Sequence, residues 1–460
     1  MRVRRAERMG TAMNWMPRAL PLPLAVAVVS CLVGLAACGN LLDVETRGLI
    51  TEGQIKQQKL IGAVVAAAEG SYHVAFNWVA HSGAAASDEM IFSHPWTPWN
   101  TYDERTLSAE GCPHDNCGFG YDWMQQARVT GVRSVQQLEA MQAPDSAIAH
   151  ALVYAGFSTV MLADYLCQVV FNGGPPLDPP QAYDSAIAIF QEAVQRAGGD
   201  AYLTSLANVG IARSYLNKND LNHAVEYALK VDATFTAWVK FVDSDNFGDW
   251  VNKYNLFHRS TALEFTSGLD PAEWRTKRDL RVPFLTDSTE GMFSPHPEAR
   301  RGYFPYTPYS FEGWTPGNKD TIAGGADIRF ASGLEAQYII AEASLYGGTG
   351  GWTPAQVHTF IDQRRLVGGL TPYAGTDALP ELAAELREQR KMDFFFAGYR
   401  LPDLIRYKKY HSVDLWPTGP IGGYGVDKSG LPPATTPPWR YGAVECWPVA
   451  QSEVNTNPNF

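Results

Sequence analysis

The stretch RKMDFFFAGYRLPDLIRY, residues 390–407, places charged side chains around a run of three phenylalanines. Burying a charged group without a partner is costly, so these charges must be paired or take part in chemistry. The stretch contains no His, Ser or Cys that could act as a base or nucleophile, which favours a structural network over a catalytic site. Three pairs lie at the i,i+3 spacing that makes neighbours on a helix face: Arg390 with Asp393, Arg400 with Asp403, and Asp403 with Arg406.

The same stretch predicts a break between two helices. Gly398 lies where the first helix would end, and Pro402 suits the first turn of the next helix. Arginine side chains would then connect the two helix ends. Removing one partner of such a buried pair typically costs about 3–5 kcal/mol.

The whole chain has the composition of a folded protein. Its 460 residues suffice for one large domain or two smaller ones, and 45% hydrophobic with 18% charged residues argues against disorder. Aromatic residues make up 12% of the chain and include 13 Trp. This surplus of aromatic side chains predicts a use for some of them outside the core.

The N-terminus has the pattern of a secretory signal, residues 1–37. Five arginines precede an apolar run, residues 19–37, that is too short and too proline-interrupted for a membrane span. The run ends in LAAC, residues 35–38, which looks like a bacterial lipobox, so we expect Cys38 to become the lipidated first residue. The alternative is an ordinary signal peptide with an incidental cysteine.

The charge of the chain disfavours two classes of partner, nucleic acids and anionic lipid surfaces. Removal of residues 1–37 takes away five Arg and one Glu, which leaves 32 basic and 47 acidic residues, a formal charge of −15. Nucleic acids and anionic lipid surfaces require basic patches. We therefore expect no nucleic-acid partner, and membrane attachment through the lipid anchor alone.

Hydrophobic periodicity predicts a mostly α protein. Residues 206–231 resemble a tetratricopeptide-repeat hairpin, with small residues on either side of a polar turn, Asn217–Asp220. We predict one domain, 38–460, whose helical-repeat layer is built mainly from 53–231 and 327–408, beside an irregular loop-rich subdomain. The irregular segments are 81–118 and 232–326, followed by a C-terminal wrap, 409–460. Predicted helices are 53–80, 121–141, 148–166, 181–197, 206–231 (a pair), 327–346, 353–367 and 379–396.

Four cysteines remain outside the signal and the lipobox. Cys112 and Cys117 lie in a turn-rich loop, where a local disulfide is the best interpretation for an exported chain. A zinc site with His114 is the alternative, but it lacks enough ligands. Cys167 falls on an apolar helix, as a packed thiol or as the partner of Cys446.

Two aromatic clusters are the candidate binding surfaces. They lie in SHPWTPWNTYDE (93–104) and YFPYTPYSFEGW (303–314), both proline-stiffened and irregular. Flat aromatic faces beside amides suit sugar rings, and loops on a rigid scaffold are common binding sites. The alternative is that these rings cover the helical layer. The candidate ligand-binding residues are Trp96, Trp99, Asn100, Tyr102, Tyr306, Tyr309 and Trp314.

Several local strings resemble the SusD/RagB-like outer-membrane nutrient-binding lipoproteins, and the resemblance covers essentially the whole chain after residue 37. The strings are CGNLLDVET (38–46), ADYLCQVVFNGGPPL (163–177), AYDSAIAIFQEAV (182–194), IARSYLNKNDLNHAVEYA (211–228), YIIAEASLYGG (338–348) and CWPVAQSEVNTNPNF (446–460).

The stretch quoted first is the most specific match. In the family it reads Glu–Arg–x–x–Glu–x–x–Phe–Glu–Gly–x–Arg–x–x–Asp–Leu–x–Arg. Asp393 replaces a Glu conservatively, whereas Gln389 and Ala397 replace two Glu with uncharged residues. We therefore expect an incomplete ion network. The matching residues are Arg390, Phe396, Gly398, Arg400, Asp403, Leu404 and Arg406.

The resemblance implies a surface-exposed lipoprotein of the cell outer membrane that binds a nutrient, a glycan or another oligomer, without cofactor or metal. It implies delivery of that nutrient to a SusC-like TonB-dependent transporter. HExxH, GxSxG, Walker A and GxGxxG motifs are absent, which agrees with a protein that is not an enzyme. The alternatives are a lipid-anchored polysaccharide hydrolase and a protein-interaction scaffold without a small ligand.

Overall fold

The computed structural model describes residues 58–92, 101–102, 104–109, 120–242, 252, 261–263, 279–282, 284–286, 303–305, 326–419 and 440–460. All of them belong to one compact unit, Ile55–Phe460. The predicted signal, 1–37, and the lipidation site, Cys38, lie outside the described residues.

Helices dominate the described chain, which confirms the mostly α prediction. A 3-10 turn, Gln58–Leu60, comes first. The helices are α1 (Ile61–Ala86), α2 (Tyr121–Ala140), α3 (Asp145–Tyr165), α4 (Pro179–Arg196), α5 (Ala201–Asn217), α6 (Leu221–Ala228), α7 (Gly333–Leu345), α8 (Pro354–Val367), α9 (Leu379–Asp393), α10 (Arg400–His411) and α11 (Gln451–Thr456).

Short antiparallel strand pairs accompany the helices. Strand β1 pairs with β3, β2 with β6, and β4 with β5. In the second pair Trp238 opposes Arg329, after a bulge that follows Ala237. The strands are β1 (Met90–Phe92), β2 (Thr236–Val239), β3 (Thr261–Leu263), β4 (Phe284–Thr286), β5 (Tyr303–Pro305) and β6 (Ile328–Ser332).

Helix α3 lies at the centre of the helical layer and packs on α1, α2, α4 and α5. By length and composition it could span a membrane, but 83% of its apolar window is buried inside the protein. The helix is therefore a core element. Close packing around it depends on Phe190 of α4, because a Cβ added to Gly156 of α3 would lie 2.5 Å from this ring, and one added to Gly210 of α5 2.4 Å.

Helices α5 and α6 form the predicted tetratricopeptide-like hairpin. Asn219 turns the chain with φ 64°, and the Asp220 carboxylate accepts a hydrogen bond from the backbone N–H of His223. Ala212, Ala224 and Ala228 are fully buried where the two helices and α7 meet. Small side chains thus allow the close approach that the pattern predicted.

Some predicted boundaries are wrong. The helix predicted from residue 327 begins only at Gly333, because Ile328–Ser332 pairs with β2 and the Ser332 hydroxyl then caps α7. Helix α1 continues to Ala86, six residues into the segment that was predicted to be irregular, since its last turns are small buried residues. Gly398, with φ 76°, separates α9 from α10, as predicted.

The charged residues of the quoted stretch form a buried network. The Arg390 Nε donates to Asp403 at 2.7 Å, and Arg406 bridges Asp403 at 2.8 Å and Glu342 of α7 at 2.7 Å. The predicted pair Asp403–Arg406 is therefore confirmed. The pair Arg390–Asp393 is wrong, because Asp393 accepts instead from Arg364 of α8.

Acids from other elements complete this network. The pair Arg400–Asp403 is also wrong, since the Arg400 guanidinium donates both Nε and Nη2 to Asp88, which follows α1. Gln389 accepts from Arg281 at 2.7 Å through its amide oxygen, so its change from Glu keeps a hydrogen bond. The expectation of an incomplete network is thus largely wrong, although the buried Arg390 Nη1 has no hydrogen-bond partner.

Asp88 and Glu89, two carboxyls that contact this network and are adjacent in sequence, differ in protonation state. Burial disfavours the charged form of Asp88, but Arg400 and Lys391 outweigh it and hold its pKa well below the usual range. Burial raises the pKa of Glu89 to about 8, against a single hydrogen bond from the backbone N–H of Phe396. Glu89 is therefore neutral at pH 7, whereas Asp88 is charged.

We predict that the Glu89→Gln variant becomes progressively more stable relative to the wild type as pH rises from about 4.5 to 8. Folded Glu89 keeps its proton up to about pH 8, but in the unfolded chain it loses the proton near 4.5, so the wild-type fold loses stability across this window. Gln does not titrate. Urea unfolding at pH 5 and pH 8 should show a gain of a few kcal/mol for the variant, since one pKa unit corresponds to about 1.4 kcal/mol.

Asp88→Asn provides the matched control. It removes the partner of Arg400 and Lys391 and should cost about 3–5 kcal/mol at pH 7. Because the pKa of Asp88 is lowered, its contribution is present above its ordinary pKa and is lost as pH falls below it. A parallel pH dependence for the two variants would contradict the assignment.

Candidate functional site

The predicted ligand-binding residues fall largely outside the described part of the chain. Of the first aromatic segment, 93–104, the structure describes only the C-terminal end, or base, which consists of Thr101, Tyr102 and Glu104. The candidate residues outside the described ranges are Trp96, Trp99, Asn100, Tyr306, Tyr309 and Trp314.

Tyr102 belongs to the core. Its side chain is 2% exposed, and its ring meets that of Trp447 edge-on with centroids 5.1 Å apart. Trp447 in turn contacts Tyr165 at the end of α3. The prediction that Tyr102 binds ligand is therefore wrong, because a ring covered by the C-terminal segment offers no face for stacking.

Arg105 joins this base to the C-terminal wrap. Its Nη2 donates to the backbone carbonyls of Pro417 at 2.8 Å and of Gly442 at 2.7 Å, and its guanidinium carbon lies 5.0 Å from the centroid of the Trp416 ring. The side chain is 4% exposed. Arg105 therefore acts through neutral carbonyls and an aromatic face.

Main-chain hydrogen bonds hold the same junction. The Gly442 N–H donates to the Glu104 carbonyl at 2.6 Å, and the Val444 N–H donates to the Arg105 carbonyl at 3.2 Å. Sequence reasoning missed both Arg105 and its partners, since they lie more than 300 positions apart. The sequence feature that could have indicated this junction is the repeated Trp–Pro pair of the wrap, Trp416-Pro417 and Trp447-Pro448.

A disulfide ties the wrap to the helical layer. Cys167 and Cys446 are bonded with Cα atoms 5.0 Å apart. Cys167 is therefore the partner of Cys446 and not a packed thiol. Two main-chain hydrogen bonds accompany the disulfide: the Cys167 N–H donates to the Trp447 carbonyl, and the Trp447 N–H donates to the Tyr165 carbonyl. Cys112, Cys117 and His114 lie outside the described residues, so the local disulfide stays a prediction.

Not every polar atom of this junction has a hydrogen-bond partner: Arg105 Nε, Trp416 Nε1 and Trp447 Nε1 are buried without one, and so is an oxygen of Glu104. Its side chain is partly exposed, but its Oε1 is buried and has no hydrogen-bond partner. Burial raises the pKa of this carboxyl to about 7.

A small internal cavity lies between α3, α5 and α10, and its volume of about 20 Å³ has room for a single water molecule. Asp164 borders it and accepts from Tyr183 Oη at 2.6 Å and from Asn217 Nδ2 at 2.8 Å. Burial raises the pKa of Asp164 to about 6. The cavity is too small for a sugar or a peptide.

Among the described residues, no group of three or more His, Cys, Asp and Glu side chains could hold a metal ion. The buried carboxylates of the quoted stretch are each bound by arginine.

Comparisons with solved structures identify the architecture. A SusD-like carbohydrate-binding protein from Bacteroides fragilis shares 13% identity and a TM-score of 0.58, covering 89% of this chain and 99% of that one. A SusD superfamily protein from Bacteroides thetaiotaomicron is 13% identical in sequence and superposes with a TM-score of 0.60. The match covers 87% of this chain and 98% of that one. Surface glycan-binding protein A from Bacteroides uniformis is 14% identical in sequence, with a TM-score of 0.58. The match covers 87% of this chain and 98% of that one.

At such low identity these comparisons show the fold. The chain has the SusD-like fold, as the strings in its sequence indicated. No protein-family model and no curated protein matches the sequence.

We predict that Cys167→Ser and Cys446→Ser destabilise the protein equally, by about 2–5 kcal/mol, because each opens a loop with a sequence separation of 279 residues. The double variant should cost no more than either single one. Thermal unfolding of the three variants, with reduced wild type as a control, checks this. A clearly additive double variant would show that the thiols act independently.

Proposed function

We propose that the protein is a surface-exposed outer-membrane lipoprotein that binds a glycan without cleaving it and delivers it to a SusC-like TonB-dependent transporter. The observation that carries the proposal is the SusD-like fold, which extends over 87–89% of the chain in the structures compared. Two of those structures are proteins named for binding carbohydrate or glycan.

Aromatic stacking is the proposed mode of binding. The apolar face of a sugar ring packs on an indole or phenol face, while amides and carboxyls take the hydroxyl hydrogen bonds. The chain offers Trp96, Trp99 and Trp314 for the first role and Asn100 for the second. The base of segment 93–104 is fixed to the wrap by Arg105, which limits the entropy lost when a ligand binds.

Export is supported by the disulfide between Cys167 and Cys446, because such bonds persist in oxidising compartments outside the cytosol. The lipobox-like sequence ending at Cys38 supports attachment to a membrane by acyl chains. The acidic balance of the chain suits an uncharged cargo better than an acidic one.

We predict retardation of the purified chain in native gels that contain a neutral polysaccharide, tested with amylopectin, xyloglucan, arabinoxylan, galactomannan and mixed-linkage β-glucan. The triple variant of Trp96, Trp99 and Trp314 to Ala should lose at least tenfold in affinity, since stacking on aromatic rings is removed. Tyr202→Ala is the matched control: this ring is 42% exposed on α5, and its loss should leave retention unchanged.

The alternatives give other results in the same experiment. Release of reducing ends from the retained polysaccharide would identify a hydrolase and contradict the binding-only proposal. Absence of retention on every polysaccharide would favour a protein-interaction scaffold. Co-purification of the chain with a TonB-dependent barrel from detergent-solubilised outer membranes tests the delivery step separately.

We predict that Cys38→Ser abolishes fatty-acid labelling and shifts the protein from the membrane fraction to the soluble fraction. The reason is that the thiol carries the acyl chains that hold such a protein on a bilayer. Cys31→Ser, in the same apolar run, is the matched control and should retain the label. Unchanged labelling of Cys38→Ser would refute the lipobox interpretation.

A further inference from the structure

The cavity between α3, α5 and α10 is bordered by polar side chains from four different helices. They are Tyr72 of α1, Asp164 of α3, Arg213 of α5 and Arg390 of α9. Each of these residues is between 2% and 9% exposed, so bulk solvent does not satisfy their polar atoms. The cavity volume of about 20 Å³ has room for one water molecule.

One oxygen of the Asp164 carboxyl lacks a donor. Both hydrogen bonds that this carboxyl accepts, from Tyr183 Oη at 2.6 Å and from Asn217 Nδ2 at 2.8 Å, end on Oδ1. No donor among the described residues reaches Oδ2. Burial raises the pKa of Asp164 to about 6, so the carboxyl is largely charged at pH 8 and its second oxygen requires a hydrogen-bond donor.

Both arginines have a guanidinium nitrogen without an acceptor. Arg213 donates from Nε and Nη2 to Glu335 and from Nη2 to the Phe330 carbonyl, but its Nη1 donates to no described residue. Arg390 donates from Nε to Asp403, whereas its Nη1 is buried without a hydrogen-bond partner. A buried N–H group without an acceptor bears its full desolvation penalty.

The Tyr72 hydroxyl is the fourth group without a partner. The ring of Tyr72 packs against Phe76 and Phe330, but its Oη makes no hydrogen bond to any described residue. Burial raises the pKa of Tyr72, and the charges of Arg213 and Asp164 act on it in opposite directions. The hydroxyl therefore lies close to the same two charged groups.

A single water molecule meets the requirements of all four groups. It can accept two hydrogen bonds, as the two guanidinium groups need, and it can donate two, to a carboxylate oxygen and a hydroxyl oxygen. A chloride ion cannot donate to Asp164, and an ammonium ion cannot accept from Arg213 or Arg390. The cavity thus favours an uncharged ligand that both donates and accepts.

We propose that the cavity binds one structural water molecule. This water accepts hydrogen bonds from the guanidinium groups of Arg213 and Arg390. It donates to Asp164 Oδ2 and to Tyr72 Oη. The water links α1, α3, α5 and α9 through side chains that do not reach one another directly, and it supplies the acceptor that Arg390 lacks in the ion network.

A high-resolution crystal structure of the purified protein tests the site directly. Crystals grown at pH 8 in chloride-free buffer and soaked in sodium bromide should show one density peak within hydrogen-bonding distance of at least three of the four groups. The peak should carry no anomalous bromide signal. A well-ordered cavity wall without such a peak, or a bromide ion in its place, would overturn the proposal.

The Tyr72→Phe variant distinguishes a bridged hydroxyl from an unpaired one. Loss of a hydrogen bond to the water should lower the melting temperature on the order of 1 °C, whereas removal of an unpaired buried hydroxyl would leave it unchanged or raise it. Tyr202→Phe is the matched control, because that ring is 42% exposed on α5 and its hydroxyl loss should leave the melting temperature unchanged. A decrease for Tyr72→Phe no larger than that of the control would contradict the bridging role.

Discussion

The structure depends on buried pairs of arginine and carboxylate that join distant parts of the chain. Arg400 meets Asp88 across 312 positions of sequence, and Arg406 meets Glu342 across 64. A guanidinium left alone in this core would bear several kcal/mol of desolvation, about as much as the net stability of many domains. The turn after α1, helix α7 and helix α10 must therefore assemble together, which makes the two ends of the helical layer interdependent.

Local patterns in the sequence predicted the helices well, because amphipathic spacing is a property of each segment alone. The hairpin around Asn217–Asp220 and the break at Gly398 follow from such patterns. The pairing of charges did not follow from spacing, since long arginine side chains reach partners on other helices. Arg364 reaches Asp393 from α8, and Gln389 replaces a charged acceptor with an amide oxygen.

The candidate site shows the same division between local and distant information. A cluster of Trp, Asn and Tyr marks a binding segment by composition, but burial of a particular ring depends on what folds over it. Tyr102 is covered by Trp447, which comes from the other end of the chain. Arg105 could not be recognised as a structural residue, because its acceptors are carbonyl groups that no side-chain pattern reveals. The described end of segment 93–104 thus contacts the C-terminal wrap as closely as its own neighbours in sequence.

The covalent link between Cys167 and Cys446 has a further consequence for the effect of a protease on the chain. A single backbone cut at any position between these residues leaves two fragments that are still joined. The segment predicted to be irregular, 232–326, lies within that span, and exposed loop tips are preferred sites of cleavage. The severed chain would keep both halves of its helical layer together, so the fold would outlast the integrity of its backbone.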